Sequence, residues 1–258
     1  SSEILKQGVN HLFFTGSYKT AQHLHSICSK NLISTTFELG GKSPLIIDKD
    51  SNLKIAAKRV CLGKFINCGQ TCIAPDYLFV HKEVKEEFIN LLKENIISFF
   101  GTEAYKSENY GRIINQRQFL RLKNLLSQGE IIFGGKHDER NNYISPTLIK
   151  PYELNNSLMQ DEIFGPILPI LEFENIESVI EYINKRPRPL ALYYFGNKNI
   201  NIIKRTTSGG ACINDAIMHI IPHNLPFGGI GQSGMGSYHG KKSFDTFSHY
   251  KSVLKTHK

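Results

Sequence analysis

Residues 11–39 read HLFFTGSYKTAQHLHSICSKNLISTTFEL. His11–Thr15 has the composition of a buried strand, Gly16-Ser17 makes a turn, and Lys19–Lys30 carries Ala21, Leu24, Ile27 and Cys28 on one face at helical spacing. Thr35–Leu39 reads as a second strand, and the same alternation continues outward. Strands are predicted at Pro44–Ile47, Tyr77–Val80, Glu130–Phe133, Ile167–Leu171, Leu190–Phe195 and Ala211–Ile213. Helices are predicted after an Asn52 cap (Leu53, Ala56, Ala57, Val60, Cys61 and Phe65 inward), over Lys82–Phe100, over Asn115–Gln128 and over Glu177–Asn184. Strands alternating with helices predict an α/β fold, a largely parallel sheet covered on both faces. No internal repeat and no linker interrupts the pattern.

The chain has 258 residues, 40% of them hydrophobic, enough for one large or two modest domains. Its 21 Gly and 10 Pro show no short period, which excludes collagen-like and low-complexity classes. No apolar run approaches the roughly 18–20 residues of a membrane span, and the opening SSEILKQGVN lacks the apolar core of a secretory signal, so a cytoplasmic chain without a membrane segment is expected. The formal charge is +8, but the basic residues are scattered and many adjoin acids, as in Lys82-Glu83-Val84-Lys85-Glu86-Glu87. Nucleic acid is therefore not an expected partner. Five cysteines, an odd number, suit a reducing compartment with free thiols.

Four clusters of unusual residues carry the chemistry. In residues 67–77, NCGQTCIAPDY, Cys72 lies between a glycine-containing turn and an apolar strand, where a thiol can ionise and attack an electrophile. The bland alternatives are that Cys68 and Cys72 are small buried residues or half of a metal site. Cys28, Cys61 and Cys212 stand too isolated to complete one, so no metal is expected. In residues 37–44, FELGGKSP, Glu38 ends a neutral strand before two glycines. It can be a general base in a partly apolar pocket, although a strand-end glutamate is more often solvated or salt-bridged. Residues 159–169, MQDEIFGPILP, set an acid and an aromatic two apart before a Gly-Pro stop. Residues 226–240, PFGGIGQSGMGSYHG, are glycine-rich but lack the preceding strand and the Lys-Ser or Lys-Thr of a nucleotide loop.

In this order and spacing, FELGGKSP, NCGQTCIAPDY, DEIFGPILPI and LPFGGIGQSGMGSYHGKKSFDTFSH resemble the aldehyde dehydrogenase superfamily, most closely its class 3 and fatty-aldehyde branch, from about residue 5 to residue 254. The resemblance implies NAD(P)-dependent oxidation of aldehydes, medium- or long-chain aliphatic or aromatic, to carboxylic acids. By it, Cys72 matches the nucleophilic thiol and Glu38 the base that activates water to hydrolyse a thioester. The Cys72 backbone N–H matches one oxyanion donor. Glu162 and Phe164 match the pair that holds the nicotinamide ribose and ring, Leu39 and Gly40 match backbone near the nicotinamide, and Gly16 and Ser17 match the pyrophosphate turn. The cofactor implied is NAD or NADP.

The family's Gly-Ser-Thr-x-x-Gly turn departs here to Gly16-Ser17-Tyr18-Lys19-Thr20-Ala21. The long N-terminal portion of the family, with the asparagine of its oxyanion hole, has no match in the chain. Residues 1–38 are thus expected to be the C-terminal part of a dinucleotide-binding domain, 39–242 a catalytic domain, and 243–258 the start of an oligomerisation segment. That segment, in which Phe-Asp-Thr-Phe-Ser-His-Tyr alternates, is expected to be an edge strand supporting a homodimer. Phe13, Phe14 and Phe37 are expected to be exposed, and the isolated chain to lack turnover. The competing readings are an inactive relative serving as a structural or interaction subunit, and an acyl-transfer enzyme using coenzyme A. Glu38 favours water over a thiol acceptor.

Overall fold

The computed structural model describes residues 2–5 and 7–257. In chain order its regular elements are α1 (Ser2–Leu5), β1 (His11–Thr15), α2 (Tyr18–Lys30), β2 (Ser34–Glu38), β3 (Pro44–Ile47), α3 (Leu53–Phe65), β4 (Tyr77–His81), α4 (Lys85–Phe100), α5 (Gln116–Leu126), β5 (Gly129–Phe133), β6 (His137–Asp138), β7 (Tyr143–Ile144), β8 (Thr147–Pro151), α6 (Ser157–Gln160), β9 (Ile167–Phe173), α7 (Ile176–Asn184), β10 (Ala191–Phe195), α8 (Ile202–Arg205), β11 (Gly210–Ile213), β12 (Gly234–Met235) and α9 (Gly240–Phe247).

Seven strands form the main sheet in the order β11-β10-β3-β4-β9-β8-β5. Every neighbouring pair is parallel except β8 with β5, which closes one edge antiparallel. Strands β3, β4 and β10 are buried along their whole length, as continuous apolar runs in a doubly covered parallel sheet must be. One face packs Leu45, Leu78 and Ile170 with Val60, Phe88, Leu92 and Phe119 from α3, α4 and α5. The other packs Ile46, Phe79 and Tyr194 with Val179, Ile180 and Ile202 from α7 and α8. Side-chain caps start the helices where the sequence offers them: Ser17, Asn52, Asn115 and Asn175 each accept a hydrogen bond from the first turn.

A smaller sheet, β1-β2-β12, stands beside the main one, with β1 and β2 parallel and β12 antiparallel to β2. The glycine-rich stretch after residue 226 returns to this sheet and pairs Gly234 with Glu38. Gly234 has φ 158°, and a Cβ there would fall within 2.5 Å of the Phe37 carbonyl oxygen, so the chain can lie this close to β2 only as glycine.

Several expectations need correction. Residues 82–84 form a 3-10 turn, and the helix proper begins at Lys85. Leu39 lies just beyond β2. Phe37 is buried with Ala21, Leu24 and Cys28, and Phe14 packs against that cluster, so only Phe13 of the three aromatics is exposed, at 39%. The edge strand expected from Ser243 onward is absent. Residues 240–247 are the helix α9, and 248–257 have no regular structure. Phe247 sets its ring against His11 and Phe13, a helical contact to β1. A strand needs a neighbour for its backbone hydrogen bonds, and no described strand lies beside 248–257.

Candidate active site

The site lies where the two sheets meet, at the carboxyl ends of β1 and β2 and in the loops that lead into β3, β4 and β9. Thr15 and Glu38 are register partners at the ends of β1 and β2, and Gly16 N donates to Glu38 O at 3.0 Å. Gly16 and Ser17 thus sit beside Glu38. Ser17 Oγ accepts from Thr20 N at 3.3 Å and caps α2, while the Ala21 methyl is buried in the small core. Leu39 N donates to Ser233 O at 3.1 Å, tying the segment after β2 to the glycine-rich return.

Glu38 is 3% exposed, and neither carboxylate oxygen has a hydrogen-bond partner. Burial pushes its pKa up to about 7, because water that would solvate the charge is excluded and nothing replaces it. Cys72 is the one partly exposed thiol; Cys28, Cys61, Cys68 and Cys212 are all buried. Its pKa is pushed up to about 11, first by burial and then by the charges of Glu162 and Glu38. Its own backbone N–H and that of Ile73 pull the other way. Glu38, Cys72 and Glu162, separate in sequence, are therefore within electrostatic reach of one another. Tyr238 joins them: Glu38 and Cys72 both help burial raise its phenol pKa.

Glu162 is held up at about 7 by burial and by Asp76, against a hydrogen bond from the Gly41 backbone and the charges of Lys42 and Arg121. A Cβ on Gly40 would land on the Glu162 carboxylate, so the glycine lets Glu162 pack directly against the backbone of the first motif. Phe164, two residues on, has φ 48° and leaves its ring 40% exposed.

A polar frame that the sequence reading did not assign holds these pieces. Lys42 Nζ donates to Asp76 Oδ2 at 2.6 Å and to the carbonyls of Leu158 and Asp161 at 2.7 and 2.9 Å. Asp76 Oδ1 accepts from Ile163 N at 3.0 Å, and Arg121 donates to the carbonyls of Glu162 and Ile163. Both members of the Lys42–Asp76 pair are buried. Burial lowers the Lys42 pKa, and Asp76 opposes that. Lys64, also buried, has an ammonium without a hydrogen-bond partner, its pKa brought down to about 8 by desolvation. Lys42 and Asp76 both lie inside the quoted motifs. Their position there was the only available signal, since neither periodicity nor spacing marks a cross-chain ion pair. Among the described residues no cluster of three or more His, Cys, Asp or Glu could hold a metal ion, and no helix is long and apolar enough to cross a membrane.

The chain is 46% identical over 250 residues to the 4,4'-diaponeurosporen-aldehyde dehydrogenase of Staphylococcus aureus (strain NCTC 8325 / PS 47), covering 95% of this chain and 54% of that protein. It is 45% identical to the rat "Aldehyde dehydrogenase, dimeric NADP-preferring", covering 98% of this chain and 57% of the relative. Among solved structures, a substrate-bound Staphylococcus aureus AldH superposes with a TM-score of 0.93 at 43% identity, covering 99% of this chain and 58% of that one. An indole-3-acetaldehyde dehydrogenase complexed with NAD+ superposes with a TM-score of 0.86 at 26% identity, covering 95% and 52%. The chain spans about half the length of the curated relatives it matches. With the family pattern matched over residues 3–253, nearly the whole chain, it belongs to the aldehyde dehydrogenase family.

Proposed function

We propose that this chain carries the catalytic portion of an NAD(P)-dependent aldehyde dehydrogenase, with Cys72 as nucleophile and Glu38 as general base. The supporting observation is the Glu38 carboxylate, buried, unpartnered and poised at about 7, in the same electrostatic field as the one partly exposed thiol. A base whose pKa lies near neutrality is ionised enough to act and still basic enough to accept a proton from water. Cys72 loses its thiol proton to solvent and adds as the thiolate to the aldehyde carbon, the carbonyl electron pair moves onto oxygen, and the Cys72 backbone N–H stabilises that oxyanion. The nicotinamide cofactor, when bound, supplies the hydride acceptor. Glu38 then takes a proton from water, the hydroxide attacks the thioester carbon, and the C–S bond breaks to release the carboxylic acid.

The residues present fit a dinucleotide. Gly16 and Ser17 open a 13-residue helix whose N-terminus favours a pyrophosphate, and Glu162, which abuts Gly40 and acts electrostatically on Cys72, would meet the nicotinamide riboside end together with Leu39 and Phe164. Residues 1–38 then form the C-terminal part of the cofactor domain, 39–242 the catalytic domain and 243–258 the start of an oligomerisation segment. The substrate class is a medium- or long-chain aliphatic or aromatic aldehyde. Both NAD and NADP remain within the proposal, and a homodimer is the assembly, in line with the word "dimeric" in the name of the rat relative.

Iodoacetamide at a low molar ratio, followed by peptide mass spectrometry, is expected to label Cys72 well before the other four thiols. In a protein extended to the full length of its relatives, Cys72→Ser is expected to abolish aldehyde oxidation, and Cys68→Ser to keep most of it. An essential Cys68 would refute the assignment. Sedimentation of a protein extended to the full length of its relatives that showed only monomer at micromolar concentration would refute the dimer.

A further inference from the structure

The loop that presents Cys72 has an unusual backbone. Asn67, Cys68 and Gly69 are left-handed in succession, with φ of 51°, 56° and 71°. Two of the three carry side chains, so the turn is strained and persists only where its surroundings over-determine it. Gly69 is forced as well: a Cβ there would strike the Gly165 carbonyl oxygen. Cys68 is buried beside Tyr110 and Gly69 abuts Gly165, and one further side chain ties the turn to the segment 112–114. Gln70 Nε2 donates to Asn67 O at 3.2 Å and to Arg112 O at 3.0 Å, while Gln70 Oε1 accepts from Ile114 N at 2.9 Å. The turn answers with Asn67 Nδ2 donating to Gln70 O at 2.9 Å.

The segment that receives Gln70 is itself fixed. The Arg112 guanidinium lies 5.1 Å from the ring centroids of both Tyr105 and Tyr143 and donates to the carbonyls of Tyr105, Tyr110 and Gly111. Ile113 is buried, and its N–H donates to Asn142 O at 2.9 Å. The Gln70 amide therefore meets a carbonyl and an N–H, two residues apart, whose positions are set independently of the nucleophile loop.

We propose that Gln70 is a positioning residue for Cys72: its amide clamps the left-handed turn to the Arg112–Ile114 segment and so holds the thiol half-buried beside Glu38. The inference rests on the reading of Cys72 as nucleophile, but its test does not require turnover. Gln70→Met keeps the side-chain volume and removes all three amide hydrogen bonds. The freed turn relaxes toward ordinary backbone angles, water reaches the sulfur, and the burial that holds its pKa up is relieved. Each unit by which that pKa falls raises the thiolate fraction about tenfold at fixed pH below the midpoint.

The assay is iodoacetamide alkylation of the 258-residue chain from pH 7.5 to 10, quantified site by site by mass spectrometry. Gln70→Met is expected to alkylate at Cys72 at least tenfold faster than wild type at pH 8, while Cys28, Cys61 and Cys212 stay protected. Gln70→Glu, which keeps the acceptor for Ile114 N–H and loses the donors, is expected to fall between. A Cys72 rate within twofold of wild type in Gln70→Met, with its far-ultraviolet spectrum unchanged, overturns the proposal. Hydrogen exchange of the unaltered chain supplies a second reading if the variant does not fold. The Ile114 amide is expected to be protected, and exchange there as fast as in the exposed residues 248–257 overturns the clamp. If the clamp is upheld while Cys72→Ser still oxidises aldehydes, the nucleophile assignment fails and the positioning role of Gln70 stands alone.

Discussion

Replacing Glu38 by Gln tests the buried base directly through stability. The carboxyl titrates at 4.5 when unconfined and at about 7 in the folded chain, a gap worth at most about 3 kcal/mol between its protonated and ionised forms. Below pH 4.5 the group is protonated in both folded and unfolded chains and burial costs little. Between 4.5 and 7 the unfolded chain releases a proton that the folded chain keeps, so wild-type stability falls as pH rises through this window. Above about 7 both forms are ionised and the loss is complete. Glutamine cannot ionise, so Glu38→Gln is expected to gain up to about 3 kcal/mol on wild type between pH 4.5 and 8. For a chain of this length that is a relative rise in melting temperature of about 6–12 °C. The assay is thermal unfolding of both proteins across that range, taking only the difference between them, which cancels every other titrating group. Parallel curves for variant and wild type would refute an unpartnered buried carboxylate and, with it, a base poised near neutrality.

Gly40→Ala drives a methyl onto the Glu162 carboxylate. Because that obstacle is the end of a flexible side chain, the fold is expected to survive with a loss of about 1–3 kcal/mol, while in a protein extended to the full length of its relatives half-saturation by NAD or NADP rises about tenfold in steady-state kinetics. Lys42→Met leaves Asp76 buried without its cation and is expected to cost about 3–5 kcal/mol in urea unfolding; a smaller loss than from a surface lysine such as Lys204 would show that the pair frames nothing.

The parts of the fold legible in the sequence are those that a local pattern dictates. PLII at 44–47 and YLFVH at 77–81 are apolar on both faces because both faces of the strand are covered, and Ser17, Asn52 and Asn115 stop their strands or loops by capping the next helix. Residues 243–250 show the limit. Phe244 and Phe247 stand at a helical i, i+3 spacing, whereas a strand would put them on opposite faces, and in the folded helix Phe247 docks on His11 and Phe13. Strand β12 was invisible because Gly234 and Met235 carry no strand pattern; the partner β2 makes them a strand. At the site, Glu38, Cys72 and Glu162 stand out in the sequence and come within electrostatic reach in the fold, and the frame of Lys42, Asp76 and Arg121 was not legible. A buried ion pair depends on which distant residues meet, and that information is not in any window of sequence.

The same distinction bears on the thiol. From its turn alone, Cys72 looked ready to ionise. The folded chain instead raises its pKa to about 11, because burial and two carboxylates from 34 and 90 positions away act on it together. Glu38, at about 7, ionises before Cys72, so near neutrality the state with a thiol and a carboxylate outweighs the state with a thiolate and a protonated Glu38. Each ionised carboxyl then works against ionisation of the thiol, and in the proposed mechanism Glu38 takes its proton from water rather than from sulfur. Glu38→Gln removes one of the two charges that push the thiol up. It is therefore expected to alkylate faster at Cys72 than wild type at pH 8, above the pKa of Glu38, and at the same rate at pH 5.5, where Glu38 is already neutral. Slower alkylation at pH 8 would mean that the carboxylate activates the sulfur directly, and the division of labour between thiol and base would have to be redrawn.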